Sequence, residues 1–326
     1  MAVRGESGWQ ATHVKTFGKE RWVQLRSALR RPVQHVVLLN PFMPAPSREE
    51  IFRLRGLQPH ERIPLVFVAA DETACGDGDE EGDRFAQAST SEWLPCYFLD
   101  GASAIAAAVM DVAPGASVLD LCAAPGGKSL MLASLLLGTC DVSGHLVCNE
   151  MSRPRLQRLQ KVMSSFLPPD FLAAGEKGHV SITNADAAGS VPVPLQRLAP
   201  FDYVLVDAPC TSDRHLVHQG GLPHWSAGAV KANAQRQLEL LRSAASLVKV
   251  GGVVLYATCA LAEAENDGVV GKFLKKFGEG FAPEKIAEKH LSLMEGADDT
   301  AFGVLILPDR TPYGPMYIAL LRRSKP

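Results

Sequence analysis

The chain has 326 residues, a net charge of −2 and 47% hydrophobic residues, which is enough apolar material to bury a full core. A net charge near zero excludes a uniformly basic surface, so a nucleic-acid partner has to be bound by local basic patches. The longest apolar run, residues 130–137, is too short to cross a bilayer, and no membrane role is expected. Seven cysteines with neither a CxxC pair nor a Cys/His cluster predict free thiols in a reducing compartment and no bound metal.

Residues 1–92 are predicted to form a small N-terminal module. An excess of Lys and Arg in residues 1–31 makes its beginning a candidate contact for nucleic acid, although such a run also suits a solvated helix face. Residues 71–83 are rich in Asp, Glu and Gly and predict a flexible surface loop. The other elements expected in this module are a basic amphipathic segment at 22–29 and short apolar runs at 36–39 and 63–70.

From residue 93 to residue 326, strand-like and helix-like segments alternate. Alternation of this kind predicts an α/β fold with a doubly wound, mostly parallel sheet. The Gly251-Gly252 pair is interpreted as the cap that closes the last long helix. The predicted strands are 117–121, 145–149, 180–183, 203–206, 253–257 and 316–321, and the predicted helices are 129–137, 153–166 and 229–249.

The segment CAAPGGK, residues 122–128, joins a predicted strand to a predicted helix, where a glycine turn can form a nucleotide-type pocket. With Ser129 it differs from the phosphate-loop pattern GxxxxGK[ST] only in having Cys122 in place of the first glycine. The strand that ends at Asp207 resembles the acidic strand that holds magnesium, so a nucleotide hydrolase is one alternative. Against it, Cys122 removes the tight turn that lets amides wrap phosphates, and Pro125 removes another amide donor.

Two acidic residues follow the next predicted strands. Glu150 ends the second strand, where an acid can bind the two hydroxyls of a ribose. Asp186 follows the third strand, where a carboxylate could accept a hydrogen bond from an adenine amino group. Either acid alone also suits a surface turn, because turns favour such residues. Together with the glycine turn they outline an adenosine site without a triphosphate, which suggests S-adenosylmethionine.

Cys210 and Cys259 follow two apolar strand-like runs. In an open parallel sheet the carboxyl ends of the strands face the ligand crevice, so these runs predict a pair of thiols in an active site. A thiolate can add to carbon 6 of a pyrimidine and so make carbon 5 nucleophilic. Asp207, three residues before Cys210, could then hydrogen-bond the edge of a cytosine. The alternative for each cysteine is a small buried apolar side chain.

Three blocks, CAAPGGK at 122–128, DAPC at 207–210 and YATC at 256–259, resemble the signature blocks of the Sun-type (Fmu-related) RNA cytosine-5 methyltransferases. The resemblance extends over residues 93–326 and implies a Rossmann-like class I methyltransferase domain that uses S-adenosylmethionine. It implies that Cys259 is the nucleophile and that Cys210 assists breakdown of a covalent adduct with RNA. The residues that it implies for contact with the cofactor or the base are Cys122, Ala123, Ala124, Pro125, Gly126, Gly127, Lys128, Glu150, Asp186 and Asp207.

Three further segments, YFLDGAS at 97–103, TSDRH at 211–215 and YGPMY at 313–317, are similar to the mitochondrial ribosomal-RNA branch of this family and to its transfer-RNA sibling. That likeness implies a mitochondrial location, with a cytoplasmic or nucleolar one as the alternative. It also implies a partner, a helical-repeat protein of the mitochondrial termination-factor type. The acidic segment 71–83 has no counterpart in the family pattern.

A second function class is a ribosome assembly factor that keeps the fold as an RNA-binding scaffold. A scaffold needs neither cysteine, nor Asp207, nor the full glycine turn. Their presence in this chain favours the enzyme.

Overall fold

The computed structural model describes residues 3–44, 56–69, 94–138, 143–173 and 178–325. The chain divides into two compact units. The first unit comprises residues 1–32, 187–199 and 205–326, and the second comprises residues 33–186 and 200–204. The acidic segment 71–83 and the predicted boundary between residues 92 and 93 lie outside the described residues, so the N-terminal module stays a prediction.

The α-helices of the described residues, numbered in chain order, are α1 Gly5–Phe17, α2 Lys19–Leu29, α3 Gly101–Val109, α4 Gly127–Leu137, α5 Arg153–Phe166, α6 Val193–Leu198, α7 Asp213–His218, α8 Ala227–Leu247 and α9 Asp267–Phe277. Short 3-10 turns cover Pro169–Leu172, Leu222–His224, Glu263–Glu265 and Glu288–Met294. Within the described part of the chain, no helix is long and apolar enough to span a membrane.

The strands are β1 His35–Leu39, β2 Leu57–Pro59, β3 Val66–Ala69, β4 Cys96–Asp100, β5 Ser117–Asp120, β6 His145–Asn149, β7 Val180–Thr183, β8 Phe201–Asp207, β9 Val248–Thr258, β10 Phe281–Glu284, β11 Asp298–Asp299, β12 Val304–Ile306 and β13 Met316–Arg323.

The second unit contains a parallel arrangement of β5, β6 and β7 in that order. Val118 lies beside Leu146, and Leu146 lies beside Val180, so neighbouring strands run in register from their first residues. The apolar side chains of β5 and β6 are buried, as expected for parallel strands that are covered on both faces. The same unit holds an antiparallel sheet in the order β2, β3, β1, β4.

The first unit contains an antiparallel region in which β13 pairs with β9, and β12 and β11 follow on its other side. The helices α8 and α9 and the two N-terminal helices also belong to this unit. Trp9 of α1 and Leu25 of α2 are fully buried, so these helices take part in a core. Alternating strands and helices, with parallel strands in the second unit and antiparallel strands in the first, confirm the predicted α/β class.

The long helix α8 ends earlier than the sequence pattern predicts. Its last residue is Leu247, and β9 begins at Val248, so Gly251 and Gly252 lie inside a strand and the helix-cap interpretation is wrong. Gly251 has a φ of 82°, a conformation that glycine adopts easily. A glycine pair therefore marks an irregularity within this strand and does not end the helix.

Candidate active site

The two predicted thiols lie in contact in the first unit. Cys259 follows β9 directly, and Cys210 lies three residues after the end of β8. Their sulfur atoms are 3.3 Å apart, and both side chains are partly exposed. The amide of Ala208 donates to the carbonyl of Ala257 at 2.9 Å, which ties the two chain segments together just before the cysteines.

The contact between the thiols affects the protonation of Cys210. The hydrogen bond with Cys259 and burial raise the pKa of the Cys210 thiol well above its ordinary value, and the nearby Glu265 carboxylate adds to the effect. Cys210 therefore keeps its proton at neutral pH. A thiol that stays protonated donates hydrogen bonds and is a poor nucleophile, so the geometry suits Cys210 as a donor toward the Cys259 sulfur.

A buried carboxylate holds the segment that carries Cys210. Glu265 is fully buried and accepts hydrogen bonds from the amide of Thr211 at 3.0 Å, from the Thr211 hydroxyl and from Gln237 Nε2 at 2.8 Å. Gln237 Nε2 also donates to the carbonyl of Pro209 at 2.9 Å. Burial raises the pKa of Glu265, and the donors from Thr211 and Gln237 oppose part of that effect. Both neighbours of Cys210 in the chain are thus anchored.

Asn266, the residue that follows Glu265, holds the segment that carries Cys259. The Asn266 Oδ1 atom accepts a hydrogen bond from the Thr258 hydroxyl at 2.5 Å. Its Nδ2 atom donates to the carbonyl of Ala260 at 2.9 Å. Asn266 therefore anchors both neighbours of Cys259, while Glu265 anchors Thr211 directly and Pro209 through Gln237.

Sequence reasoning did not find Glu265, Asn266 or Gln237. The available signal is the polar pair that follows the apolar segment 260–262 shortly after Cys259. Both members of the pair are buried, Glu265 completely and Asn266 to 3% exposure. Buried polar groups of this kind are paired, and here their partners flank the thiols.

The glycine turn lies in the second unit, where Gly126 precedes the first residue of α4. Gly126 has a φ of 126°, and a Cβ atom there would lie 3.0 Å from Val162 Cγ1. The Ser129 hydroxyl donates to Asp120 Oδ2 at 2.7 Å, and Lys128 Nζ donates to the Ser103 hydroxyl at 2.8 Å. The turn therefore leads into the first residues of α4 through a backbone conformation that glycine adopts easily.

The remaining residues predicted for the turn follow the same chain segment. Ala123 and Ala124 are buried, Cys122 is partly exposed and Pro125 is exposed. The amide of Ala123 donates to the carbonyl of Asn149 at 2.9 Å, which attaches the turn to the end of β6. Gly127 is the first residue of α4.

Glu150 follows β6 and is only 2% exposed. Its Oε1 atom accepts a hydrogen bond from the amide of Ser152 at 2.8 Å. Its Oε2 atom takes no hydrogen bond within the described residues, while Arg155 Nη1 lies 3.2 Å away. Arg155 Nη2 also donates to the carbonyl of Ala124 at 2.5 Å. A buried carboxylate with an acceptor oxygen still available fits a ribose hydroxyl.

The other two predicted acids are more accessible. Asp186 follows β7 in the second unit and is exposed. Asp207 is the last residue of β8, belongs to the first unit and is partly exposed. The structure thus places Glu150 and the glycine turn together in one unit and places Asp207 with the thiols in the other.

Comparison with known proteins decides the family. Residues 107–322 match the 16S rRNA methyltransferase RsmB/F family. The chain belongs to this family. RsmB/F relatives include the mouse mitochondrial tRNA (cytosine(34)-C(5))-methyltransferase, which is 29% identical over 95% of this chain and 88% of that protein. The Xenopus laevis 5-cytosine rRNA methyltransferase NSUN4 is 34% identical over 71% of this chain and 57% of that protein.

Solved structures agree on the fold of this RsmB/F member. A methyltransferase homologue from Pyrococcus horikoshii has a TM-score of 0.67 with 20% identity, covering 96% of this chain and 93% of that one. NSun6 from Pyrococcus horikoshii with SFG has a TM-score of 0.70 with 18% identity, covering 97% of this chain and 98% of that one. At these identities the likeness shows the fold alone.

Family membership confirms three sequence-based predictions. The protein is an enzyme, it acts on RNA as a cytosine-5 methyltransferase, and its cofactor is S-adenosylmethionine. The nucleotide-hydrolase alternative is not supported. The glycine turn and the available oxygen of Glu150 fit this cofactor, since its adenosine carries ribose hydroxyls and no triphosphate.

Proposed function

We propose that the protein methylates carbon 5 of cytosine in RNA through a covalent adduct between Cys259 and carbon 6 of the base. The observation that carries this proposal is the pair of sulfur atoms 3.3 Å apart, of which Cys210 keeps its proton. A nucleophilic thiolate beside a protonated thiol suits addition followed by elimination. Cys259 is the nucleophile, and Cys210 assists breakdown of the adduct.

The proposed reaction uses the two thiols in sequence. The Cys259 thiolate forms a bond to carbon 6, and the electron pair of the carbon 5–carbon 6 double bond moves to carbon 5. Bound S-adenosylmethionine supplies the methyl group that carbon 5 takes up. Loss of the carbon 5 proton to water then restores the double bond and expels the Cys259 sulfur. Cys210 donates a hydrogen bond to that sulfur as it leaves, which stabilises the departing thiolate.

We further propose that the cofactor is held by the residues of the glycine turn together with Glu150 and Asp186. The shape of the turn at Gly126 and the available Glu150 oxygen support this assignment. Asp207 is proposed to hydrogen-bond the cytosine edge, because it lies on the same chain segment as Cys210. The proposed turn residues are Cys122, Ala123, Ala124, Pro125, Gly126, Gly127 and Lys128.

For the substrate we propose mitochondrial ribosomal RNA, in keeping with the NSUN4 relatives. A transfer RNA is a second candidate, favoured by the extent of the alignments. The mouse transfer-RNA enzyme aligns with 95% of this chain, whereas the Xenopus laevis ribosomal-RNA enzyme aligns with 71%. The transfer-RNA relatives, which are mitochondrial enzymes, support a mitochondrial location. From the family resemblance we also propose a partner, a helical-repeat protein of the mitochondrial termination-factor type.

The decisive experiment incubates the purified protein and its cysteine variants with RNA and S-adenosylmethionine and runs the products on a denaturing gel. Cys259→Ala should reduce methylation to background without changing cofactor binding. Cys210→Ala should accumulate a covalent protein–RNA band, because attack proceeds and release is slow. The double variant should show no band. A band with Cys259→Ala that vanishes with Cys210→Ala would exchange the two roles, and unaltered turnover in both variants would end the paired-thiol mechanism.

The substrate is identified in cells that lack the protein. Mass-spectrometric mapping of 5-methylcytosine should show one lost site in mitochondrial ribosomal RNA, restored by the wild-type protein and not by Cys259→Ala. A lost site in a transfer RNA would establish the second candidate. Full rescue of ribosome assembly by Cys259→Ala, with no methylated site lost, would instead identify an assembly factor.

A further inference from the structure

Ser212 contacts both sulfurs of the thiol pair. Its Oγ atom lies 3.2 Å from Cys259 Sγ and 3.5 Å from Cys210 Sγ. In the structure the Cys259 thiol donates to this hydroxyl, and the hydroxyl donates to the carbonyl of Cys210 at 3.4 Å. The mechanism derived above gives this hydroxyl no role.

The backbone at Ser212 has a left-handed conformation, with φ 53° and ψ 59°. This conformation is unfavourable for residues other than glycine, and it persists only where the surroundings impose it. Such outliers concentrate at functional sites.

The structure imposes the Ser212 conformation from both sides. The preceding residue, Thr211, is held by the buried Glu265 carboxylate through its amide and its hydroxyl. The following residue, Asp213, is fully buried and accepts hydrogen bonds from Trp9 Nε1 and from the amide of Leu261, each at 2.7 Å. Two independent buried anchors therefore keep the Ser212 hydroxyl beside the sulfurs.

We propose that Ser212 is a further catalytic residue, whose hydroxyl donates a hydrogen bond to the Cys259 thiolate. When Cys259 loses its proton to bulk water, its sulfur becomes an acceptor and the Ser212 hydroxyl turns from the Cys210 carbonyl toward it. Ser212 keeps its own proton throughout. The same hydrogen bond forms again when the bond between sulfur and carbon 6 breaks, and this second part rests on the function proposed above.

The test measures the thiolate directly, without RNA or cofactor. Wild-type protein and variants are alkylated with iodoacetamide over a range of pH, and the modified Cys259 peptide is quantified by mass spectrometry. Ser212→Ala and Ser212→Gly should each raise the midpoint of Cys259 alkylation by about 1 to 2 pH units, the effect of one lost hydrogen bond to a charged group.

The two variants separate catalysis from folding. Glycine relieves the left-handed backbone, so Ser212→Gly should be more stable to heat than Ser212→Ala and yet show the same shift. Ser226→Ala is the matched control, because Ser226 caps α8 through the amide of Ala229 and its loss lowers stability in the same unit. Its alkylation midpoint should equal that of the wild-type protein.

An unchanged midpoint in both Ser212 variants would overturn the proposal. A shifted midpoint in Ser212→Ala alone would also overturn it, and so would an equal shift in Ser226→Ala. Either pattern would mean that the alkylation midpoint follows the stability of the protein. Adduct formation with RNA should slow in both Ser212 variants at neutral pH and recover at high pH. A shifted midpoint with no adduct in any variant, including Cys210→Ala, would retain the thiolate role and contradict the proposed reaction.

Discussion

The thiol segments of the first unit and the glycine turn of the second unit are positioned in different ways. Around the thiols, the anchoring hydrogen bonds join residues far apart in the chain: Trp9 and Asp213 are 204 positions apart, and Thr211 and Glu265 are 54 apart. Around the turn, the hydrogen bonds span fewer positions: nine between Ser129 and Asp120, 25 between Lys128 and Ser103, and 31 between Arg155 and Ala124.

This difference predicts which substitutions disturb each site. The turn depends on a local backbone shape, which a single glycine permits. The thiol segments depend on buried side chains whose loss leaves several donors without acceptors. Substitutions at buried positions far away in the chain should therefore disturb the thiols, whereas the turn should respond to changes in its own segment and in the residues that contact it, such as Ser103 and Arg155.

The largest effect is expected from Glu265→Ala. The substitution leaves the Thr211 amide, the Thr211 hydroxyl and one N–H of Gln237 Nε2 without an acceptor, at about 1–3 kcal/mol for each buried unsatisfied group. Urea unfolding should show the loss, and the rate of adduct formation should fall with it. Glu263→Ala, an exposed acid in the same 3-10 turn, is the control and should change neither quantity. Equal behaviour of the two variants would remove Glu265 from the anchoring network.

Glu150→Gln tests the second unit at its buried acid. If the carboxylate accepts hydrogen bonds from the ribose, its neutralisation should weaken the binding of S-adenosylmethionine by about 1.5–3 kcal/mol, which raises the dissociation constant roughly tenfold or more. Calorimetry with the cofactor and with its demethylated product measures this loss. Stability should change little, because the ion pair between Oε2 and Arg155 involves an arginine side chain that is half exposed, and such pairs contribute little. An unchanged dissociation constant would exclude Glu150 from the cofactor site.

Gly126→Ala tests whether the turn depends on backbone shape. A Cβ atom would lie 3.0 Å from Val162 Cγ1 and 3.3 Å from Leu159 Cδ1, in a conformation that costs about 1–3 kcal/mol for other residues. Thermal unfolding and cofactor binding should both deteriorate. Gly189→Ala is the matched control, because its φ of 89° is also positive while a Cβ there meets no described atom within 4 Å. If both variants lose the same amount of thermal stability, the close contacts of a Cβ atom at Gly126 with Val162 and Leu159 do not affect the fold.

Glu265→Gln sharpens the comparison through pH. Because the pKa of Glu265 is raised in the folded protein, folding favours its protonated form. Its contribution to stability is complete below the carboxyl's ordinary pKa and is lost as the pH rises through the raised value. The neutral variant lacks this loss, so its stability relative to the wild-type protein, measured by urea unfolding, should improve over the pH range above the carboxyl's ordinary pKa of about 4.3. A constant difference across that range would contradict the raised pKa.

The smallest effect is expected from Asp186→Ala. Asp186 is exposed, so water competes with any hydrogen bond to adenine, and the expected loss in cofactor affinity is about 0.5–1.5 kcal/mol. The same calorimetric titration as for Glu150→Gln measures it. A loss of affinity larger than that of Glu150→Gln would mean that Asp186 contributes more to cofactor binding than Glu150. It would contradict the expectation that the buried acid contributes more than the exposed one.

The sequence alone was sufficient for those elements whose pattern is local. The helix Arg153–Phe166 and the strands His145–Asn149 and Val180–Thr183 have the predicted bounds, because their apolar spacing matches their own periodicity. The α/β class followed from the alternation of these elements. The glycine turn was also predictable, since its glycines and the following helix are contiguous in the chain.

Other elements depended on tertiary context. Helix α9 and the N-terminal helix α1 were not predicted, and the pair Gly251-Gly252 was assigned to a helix end although it lies in β9. Glycine serves both helix caps and irregular strands, so its identity could not decide between them.

The sequence by itself determined the α/β class, the glycine turn and the identity of the two cysteines as candidates, because each depends on residues close together in the chain. Only the tertiary structure brought their sulfurs to 3.3 Å, raised the pKa of Cys210 and placed Ser212 against both. The residues that impose this arrangement, such as Glu265 and Asp213, act through burial and through partners distant in sequence. Neither burial nor such pairing is encoded in a local pattern, since both arise only when the whole unit folds.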